Sequence, residues 1–321
     1  MKPITAAVAV IGGSGLYRLF DPATSTVQRV ETPYGPAEVT IGELGGRTVA
    51  FLTRHGSDHS VAPHLINYRA NIWALASLGV TAILSSAAVG GVHPDFPPGT
   101  LVLTDQFIDR TYGRADTFYD SGSVQHLAAA DPFCPTLHAV AAAALDAAGE
   151  SVATSGTVVV IQGPRFSTRA ESLWFRAAGA HTVNMTLYPE VALAAELNIG
   201  TVNISFVTDS DAGLAPVATA SGSADAALGA SSGSGPGDTA DAGRAESDEP
   251  AEELSAELVF ARLAAAQPRI IAAIETIIRA LPSHYSPREL VAPAEVAAVL
   301  SRDVLISGDT TARVAPTGAT S

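Results

Sequence analysis

The chain has 321 residues, 47% of them hydrophobic, with 18 basic and 32 acidic side chains. This length allows one large domain or two small ones with a substantial core. The net charge of −14 argues against binding to nucleic acid or to anionic membranes. No apolar run reaches the ~18 residues that a membrane span needs, and Met1–Gly13 lacks the pattern of a signal peptide. A single cysteine, Cys134, excludes an intramolecular disulfide framework and a multi-cysteine zinc site, so we expect a cytoplasmic protein.

Short apolar runs bounded by Gly, Pro and Thr predict strands. In chain order they are Ala6–Ile11, Thr48–Thr53, Ala82–Ser85, Leu101–Thr104, Val158–Ile161, Thr182–Met185 and Val202–Val207. Helical patterns lie between or after them, at Tyr68–Leu78, Thr136–Ala148, Arg169–Ala178, Pro189–Leu197 and Leu258–Leu281. This alternation predicts an α/β fold around a mostly parallel or mixed sheet, with functional sites at the carboxyl ends of strands.

Residues 217–254 differ from the rest of the chain in composition. Ala, Ser, Gly, Asp and Glu dominate there, and the stretch contains eight acidic residues but only one basic residue, Arg244. About half of the net charge comes from this stretch, which contains no aromatic residue. Since such a composition cannot bury enough apolar surface to offset the entropy of ordering, we expect a disordered acidic insertion in a loop.

The end of the chain is less regular. Pro268 lies inside the last helical pattern, and we expect it to kink the helix or to split it in two. After Pro282 the composition allows the middle of the remaining sequence to pack, while its end has little to hold it. We therefore divide the chain into a domain over residues 1–282 and a C-terminal tail of uncertain structure over residues 283–321.

The first candidate binding motif is the glycine-rich segment Gly12–Leu16, directly after a predicted strand. Backbone N–H groups of glycines can converge on an anion, and the Ser14 hydroxyl adds another donor. A dinucleotide fingerprint would need G-x-G-x-x-G, but the sixth position counted from Gly13 is Arg18. The segment is therefore interpreted as a phosphate loop or as a tight structural turn.

Arg54 and His55 follow the strand Thr48–Thr53. Arginine offers a planar fork that matches phosphate, and histidine adds a directional hydrogen-bond donor, although an isolated pair of this kind more often lies on a solvated surface. His59 and His64 come next, but no carboxylate or cysteine pattern completes a metal site with them. We expect no metal.

Two further segments can approach a ligand. The small residues of Ser85–Gly91 let the backbone come close to a bound molecule, or form a tight turn against a helix. In Gly163–Glu171 a turn places Phe166 outside the sheet, where it can stack on a planar heterocycle or pack in the core. A helix then begins with a Ser/Thr cap and an acidic residue in its first turn.

Polar side chains also follow two strands, at Asn184–Thr186 and Thr208–Asp211. Asp209 and Asp211, at positions i and i+2, can accept hydrogen bonds from an amino group, or one of them can protonate a ring nitrogen. A solvated Asx turn is the alternative interpretation.

These motifs occur together and in a recognisable order. The segments are IGGSGLY, ETPYGPAEV, TRHGSDHSVAPHLINYRANIWAL, AAVGG, PPGTLVLTDQFIDRT, FYD, DPFCP, IQGPRFSTRAES, VNMT, YPEVALAAE and VTDSD. They resemble the methylthioadenosine phosphorylases of the trimeric purine nucleoside phosphorylase family. The resemblance runs nearly continuously from Val10 to about Asp211 and resumes less clearly at Glu257.

The resemblance implies a single α/β domain of the phosphorylase/hydrolase type, with a mixed central sheet flanked by helices. It implies phosphorolysis, in which inorganic phosphate attacks C1′ of 5′-methylthioadenosine and releases adenine and 5-methylthioribose 1-phosphate. No organic cofactor or metal is expected, because phosphate is the co-substrate and the nucleophile, while the protein supplies positioning and electrostatics.

By motif position, the resemblance also implies roles for individual residues. The expected phosphate-binding residues are Ser14, Arg54, His55, Ala87, Ala88 and Thr186. Met185 is expected to pack against the ribose and Phe166 against the purine. His126 matches the family position that reaches across a trimer interface to the neighbour's 5′-alkylthio group, so a homotrimer is expected. Val259 and Phe260 fall where the family has an apolar wall of the same pocket.

Asp209 and Asp211 are expected to face the base, where a carboxylic acid near N7 relieves the charge left by bond cleavage. A free aspartate has a pKa of about 3.9, so proton donation requires a raised pKa in a dry pocket. Carboxylates also accept the hydrogens of a 6-amino group, whereas a 6-oxopurine pocket would sooner carry an asparagine. The pair therefore favours adenine.

Two departures from the family pattern concern different parts of the expected site: the first removes one hydrogen bond to phosphate, and the second bears on the 5′ specificity. Ala87 stands where some relatives have a hydroxyl residue, and the acidic insertion precedes the wall of the 5′-pocket. Two alternatives stay open: a purine nucleoside phosphorylase acting on 6-oxopurine or broader nucleosides, and a dinucleotide-binding protein built on the first glycine-rich segment.

Overall fold

A computed structural model describes residues 4–213 and 256–304. The predicted acidic insertion and the last part of the C-terminal tail, residues 305–321, lie outside the described residues. Across the two described ranges, no helix is both long and apolar enough to cross a membrane.

Eleven strands and six α-helices make up the described ranges. The strands are β1 (Val8–Gly12), β2 (Thr26–Val30), β3 (Ala37–Leu44), β4 (Arg47–Thr53), β5 (Ala82–Gly91), β6 (Leu101–Thr104), β7 (Gln106–Arg110), β8 (Val152–Ala153), β9 (Thr157–Ile161), β10 (Thr182–Asn184) and β11 (Gly200–Ser210). The helices are α1 (Tyr68–Ser77), α2 (Pro135–Ala147), α3 (Arg169–Ala177), α4 (Leu187–Glu196), α5 (Ala256–Ala280) and α6 (Pro293–Leu300).

The strands form one mixed sheet that branches at β5. One path runs β2-β3-β4-β1-β5-β10-β9-β7, and β11 pairs with β5 and leads to β6 and β8. Strand β1 is parallel to β4 and β5, and β11 is parallel to β5, whereas β10 is antiparallel to β5. The expected α/β fold with a mixed central sheet is confirmed.

Helices cover both faces of this sheet, as β1 illustrates. Every residue of β1 is buried, and the two faces of the strand belong to different apolar clusters. Ala9 and Ile11 pack with residues of α1 and α4, while Val8 and Val10 pack with residues of α2 and α5. A strand covered on both sides needs a continuous apolar run, which is why its sequence shows no alternation.

Several elements extend beyond the predicted boundaries. Ser85–Gly91, interpreted as a loop after a strand, is part of β5, and Thr208–Ser210 is part of β11. These two strands pair along ten positions, and small residues in β5 allow this close parallel pairing. Strands β2, β3, β7 and β8 were not predicted.

The expectation that Pro268 splits the last helix is wrong. Helix α5 continues through Pro268, which lies on the exposed side. Residues before and after it, including Leu263, Ile270 and Ile274, pack into one cluster against the sheet. Burial of that apolar face holds both halves of the helix together, and water can reach the carbonyl group that lacks a backbone donor.

The described part of the C-terminal tail packs onto the domain. Helix α6 lies beside α1, and the indole nitrogen of Trp73 donates to the carbonyl oxygen of Val299 at 3.1 Å. Asn198 accepts from the backbone N–H groups of Leu290 and Val291.

Candidate active site

A cavity of about 440 Å³ opens at the carboxyl ends of β1, β4, β10 and β11, beside the second half of β5 and the first turns of α5. Twelve of the thirteen residues with an expected role line it: Ser14, Arg54, His55, Ala87, Ala88, Phe166, Met185, Thr186, Asp209, Asp211, Val259 and Phe260. They come from segments far apart in the sequence, which the mixed sheet and the start of α5 bring together around one cavity.

Arg54 is buried at the end of β4 and forms an ion pair with Glu190 of α4. Its Nε atom lies 2.6 Å and its Nη2 atom 2.8 Å from the two carboxylate oxygens, and Nη1 donates to the carbonyl of Ser86 at 3.0 Å. Burial by itself lowers the pKa of Arg54, but the Glu190 carboxylate outweighs it and raises the pKa. The guanidinium is therefore charged and held in one orientation.

His55 lies next to Arg54 with its Nδ1 atom 2.9 Å from the carbonyl oxygen of Val61. Since a carbonyl oxygen only accepts, Nδ1 carries the hydrogen. Burial lowers the pKa of His55 to about 4, against an opposing effect of this hydrogen bond, so the ring is neutral near pH 7. The ring nitrogen left for a ligand, Nε2, is then an acceptor rather than the donor expected from the sequence.

Asp209 enters the cavity because of a β-bulge in β11. Val207 pairs with Val89 and Asp209 pairs with Gly90, which leaves Thr208 as an extra residue. Consecutive side chains of a regular strand face opposite sides, but here Thr208 and Asp209 both line the cavity. The Thr208 hydroxyl donates to Asp209 Oδ1 at 2.6 Å.

Asp211 lies in the turn after β11 and is 2% exposed. Burial raises its pKa, although the nearby hydroxyls of Ser167 and Ser172 favour the charged form. Neither hydroxyl reaches good hydrogen-bonding geometry, and Asp211 Oδ2 has no partner among the described residues. Burial thus shifts the carboxyl group towards its neutral form, and the unpartnered oxygen is suited to meet a polar group of a ligand.

Gly90 of β5 allows the two aspartates to come this close to the sheet. A Cβ atom on Gly90 would lie 3.2 Å from the Cβ of Asp211 and 3.3 Å from Oδ2 of Asp209. Such contacts are tighter than side chains normally make, so glycine fits this position best.

Phe166 stands at the rim of the cavity, 41% exposed, just before α3. The predicted cap of that helix is confirmed: the Thr168 hydroxyl accepts from the N–H of Glu171, and the Glu171 carboxylate accepts from the N–H of Thr168. Arg165 binds the same carboxylate through both terminal nitrogens. This network fixes the turn that presents Phe166.

Arg114, which sequence reasoning missed, ties together the loops below Phe166 and Met185. Its terminal nitrogens donate to the carbonyl oxygens of Gln162 at 3.0 Å, Met185 at 2.9 Å and Tyr188 at 2.5 Å. The guanidinium also lies over the ring of Tyr68. One side chain thus satisfies carbonyl groups after β9 and after β10, including that of Met185, which lines the cavity.

The first turns of α5 close the cavity opposite the sheet. The ring of Phe260 contacts the ring of His59 edge-on, with centroids 5.2 Å apart, and His59 accepts or donates a hydrogen bond with the Tyr17 hydroxyl at 3.1 Å. Arg262 donates to the carbonyl of Thr208 at 2.7 Å and so ties α5 to the end of β11. Phe260 therefore belongs to an aromatic wall rather than to a separate helix surface.

His126 is the one residue with an expected role that does not line the cavity of this chain. It lies exposed in the long segment between β7 and α2.

Sequence reasoning also missed Glu190. The signal was available in principle, since a carboxylate near the start of the mostly apolar pattern YPEVALAAE has to be exposed or paired. Its partner, however, is 136 positions away in the chain. Only the tertiary fold, which packs α4 against α1 and β11, brings the two together.

The chain has clear similarity to characterised families. The model of the phosphorylase superfamily matches residues 7–232. S-methyl-5′-thioadenosine phosphorylase from Mycolicibacterium smegmatis is 52% identical over 209 residues, which cover 64% of this chain and 78% of the relative. Purine nucleoside phosphorylase from Streptomyces coelicolor is 48% identical over 220 residues, covering 65% and 78%.

Solved structures agree with these sequence matches. Methylthioadenosine phosphorylase from Schistosoma mansoni in complex with adenine superposes with a TM-score of 0.71 and 29% identity, covering 93% of this chain and 98% of that one. The same enzyme in its apo form gives a TM-score of 0.60 at 38% identity, covering 64% and 81%.

Proposed function

The chain belongs to the phosphorylase superfamily, and we propose that it catalyses the phosphorolysis of 5′-methylthioadenosine to adenine and 5-methylthioribose 1-phosphate. One observation carries the proposal: a single cavity combines a buried, oriented arginine at one part of its wall with a pair of buried aspartates at another. The first suits an anionic nucleophile, and the second suits a nitrogen-rich leaving group.

In the proposed reaction, an oxygen of phosphate forms a bond to C1′ while the bond from C1′ to the purine breaks. The electron pair of the breaking bond goes to the purine, which gains a proton. Arg54 and Thr186 orient the phosphate, and His55 Nε2 accepts a hydrogen bond from a P–OH group. This arrangement supplies mainly positioning and charge stabilisation.

The aspartates receive the leaving base. Asp211 is buried and its raised pKa favours a carboxyl group that holds a proton, while Asp209 shares the cavity wall with it. Together they offer acceptors to a 6-amino group and a proton to the ring, which supports an adenine nucleoside as the substrate.

A purine nucleoside phosphorylase of broader specificity is the second candidate. The relative of that name from Streptomyces coelicolor supports it, since it matches about as much of the chain as the methylthioadenosine relatives do. The same anion-binding wall would serve either substrate. The dinucleotide-binding alternative has only the first glycine-rich segment in its favour.

The oligomeric state and the co-reactants complete the proposal. We propose a homotrimer in which His126 contacts the neighbour's substrate, supported by its exposure and by the exposed side chain of Val124 two positions before it. We propose a reaction that needs inorganic phosphate and neither an organic cofactor nor a metal, in a cytoplasmic protein. Activity that survives dialysis against EDTA would agree with this.

The decisive experiment measures release of free base from methylthioadenosine, adenosine and inosine, each with and without phosphate. We expect adenine and a sugar phosphate in equal amounts from methylthioadenosine, and no cleavage without phosphate. Faster turnover of inosine would favour the second candidate. Cleavage at the same rate in the absence of phosphate would contradict phosphorolysis altogether.

A further inference from the structure

Arg54 lines the cavity, and it forms a buried, bidentate ion pair with Glu190. Both side chains are nearly inaccessible, with 1% and 4% of their surfaces exposed. Two parallel hydrogen bonds join them, and the carbonyl of Ser86 takes a third donor of the guanidinium. An arginine so held has one orientation rather than several.

The hydrogen-bond count shows which part of Arg54 stays available. A guanidinium carries five N–H donors. The contacts to Glu190 and Ser86 use three of them within the described residues, one each on Nε, Nη2 and Nη1. One donor therefore remains on each terminal nitrogen. These two donors are the ones that a ligand in the cavity can use.

Charge leads to the same conclusion. Glu190 neutralises Arg54 within the protein, so the cavity does not present an isolated buried cation. His55 beside it is neutral near pH 7 because burial lowers its pKa to about 4. An anion is then held by directed hydrogen bonds more than by net charge, and the direction of those bonds depends on the carboxylate behind the arginine.

We propose that Glu190 is a positioning residue for the phosphate site: by holding Arg54 from behind, it aims the two remaining donors at the anion and thereby sets its affinity. Glu190 does not line the cavity, so it acts only through Arg54. The inference rests on the proposed function for the identity of the anion. It makes Glu190 part of the binding machinery rather than of the core alone.

The test is Glu190→Gln, which keeps the size of the side chain but places an amide N–H against the guanidinium. Losing one charge-assisted hydrogen bond predicts a KM for phosphate raised roughly 10- to 100-fold, with the KM for the nucleoside changed by less than about threefold. Glu190→Asp keeps the negative charge on a side chain that is one carbon shorter. Its KM for phosphate should lie between the values of the wild type and of Glu190→Gln. The aspartate variant also provides the measurement if the glutamine variant does not fold.

Glu196→Gln is the matched control. Glu196 lies on the same helix, is buried to the same degree, and accepts hydrogen bonds from Thr117 and from the N–H of Phe118. It does not line the cavity. We expect this variant to lose thermal stability while its KM for phosphate stays at the wild-type value. An equal rise in the phosphate KM of both variants would overturn the proposal, because general loosening of α4 would then explain it.

Direct binding of inorganic phosphate, followed by titration calorimetry, separates this inference from the proposed function. Weaker binding in Glu190→Gln, with no cleavage of methylthioadenosine by the wild type, would support the positioning role and refute the activity. Phosphate-dependent cleavage by the wild type with an unchanged phosphate KM in Glu190→Gln would refute the positioning role alone.

Discussion

The ring of His55 donates from Nδ1 to the carbonyl oxygen of Val61 across 2.9 Å. This contact fixes the tautomer of a buried histidine whose pKa burial lowers to about 4. Arg54 and His59, two nearby basic side chains, lower the pKa further. His55 is therefore built into the site as a neutral ring.

His55 should make the stability of the protein fall in weak acid. In the unfolded chain its pKa is about 6.5, so between about pH 6.5 and pH 4 the unfolded chain binds a proton that the folded protein does not. The stabilising contribution is fully present above about pH 6.5 and is lost as the pH falls towards 4. Thermal unfolding without phosphate, measured at several pH values, should show a shallower loss in His55→Asn than in the wild type.

Asparagine is the right replacement because its amide can still donate to Val61. The exposed His64, changed to Asn, is the control and should unfold with the wild-type pH dependence. Identical pH profiles for His55→Asn and the wild type would contradict the neutral, buried histidine.

The base chemistry should depend on Asp209. Replacing it with Asn keeps its size but removes the ability to carry a proton, and it turns one of the two acceptor oxygens into an N–H donor. Turnover of methylthioadenosine should fall by about 10²- to 10⁴-fold, and activity towards inosine should rise relative to it. Steady-state rates with both nucleosides measure this.

Asp146→Asn, on the exposed side of α2, controls for the loss of one negative charge and should be fully active. Parental rates in Asp209→Asn would show that the proton and the acceptors come from elsewhere. Asp211→Asn tests whether the second aspartate supplies the proton, because burial raises the pKa of Asp211.

Arg114 should fix the position of Met185, which lines the substrate site. Arg114→Met removes the donors to the carbonyl groups of Gln162, Met185 and Tyr188 while keeping an unbranched side chain. Leaving these partly buried carbonyl groups without their donor should lower the free energy of unfolding by about 1–2 kcal/mol and raise the KM for the nucleoside. Denaturant unfolding and kinetics measure the two effects.

Arg29→Met serves as the comparison, because Arg29 is mostly exposed on β2 and pairs only with Glu31 among the described residues. It should change stability by no more than about 1 kcal/mol. A wild-type nucleoside KM in Arg114→Met would show that the carbonyl contacts do not shape the site.

In the proposed trimer, His126 contacts the substrate of the neighbouring subunit, a role that it cannot have in a single chain. His126→Ala should leave phosphate binding intact and raise the KM for methylthioadenosine more than the KM for adenosine, since only the first carries the 5′-alkylthio group. Light scattering on the wild type should report three chains. A monomer with full activity would refute both the assembly and the role of His126.

The fold class followed from local patterns because burial on both faces demands it. The short apolar run of β1 and the apolar start of β5, bounded by turn residues, are typical of central strands with helices on both sides. The cap of α3 was equally predictable, since a capping box depends on residues three positions apart. The alternation of buried and exposed residues in β3 was present in the sequence but was not used.

Tertiary structure decided the rest, because pairing between distant segments has no local signature. Motif order placed Asp209 near a ligand, but the bulge that turns it towards the cavity exists only through the register of β11 on β5. From the sequence, Arg54 could be either a solvated surface residue or a phosphate-binding residue. Only the folded structure shows that it is buried and paired with Glu190 of α4. Likewise, His55 is neutral because burial in the folded protein lowers its pKa, and this burial cannot be read from the sequence.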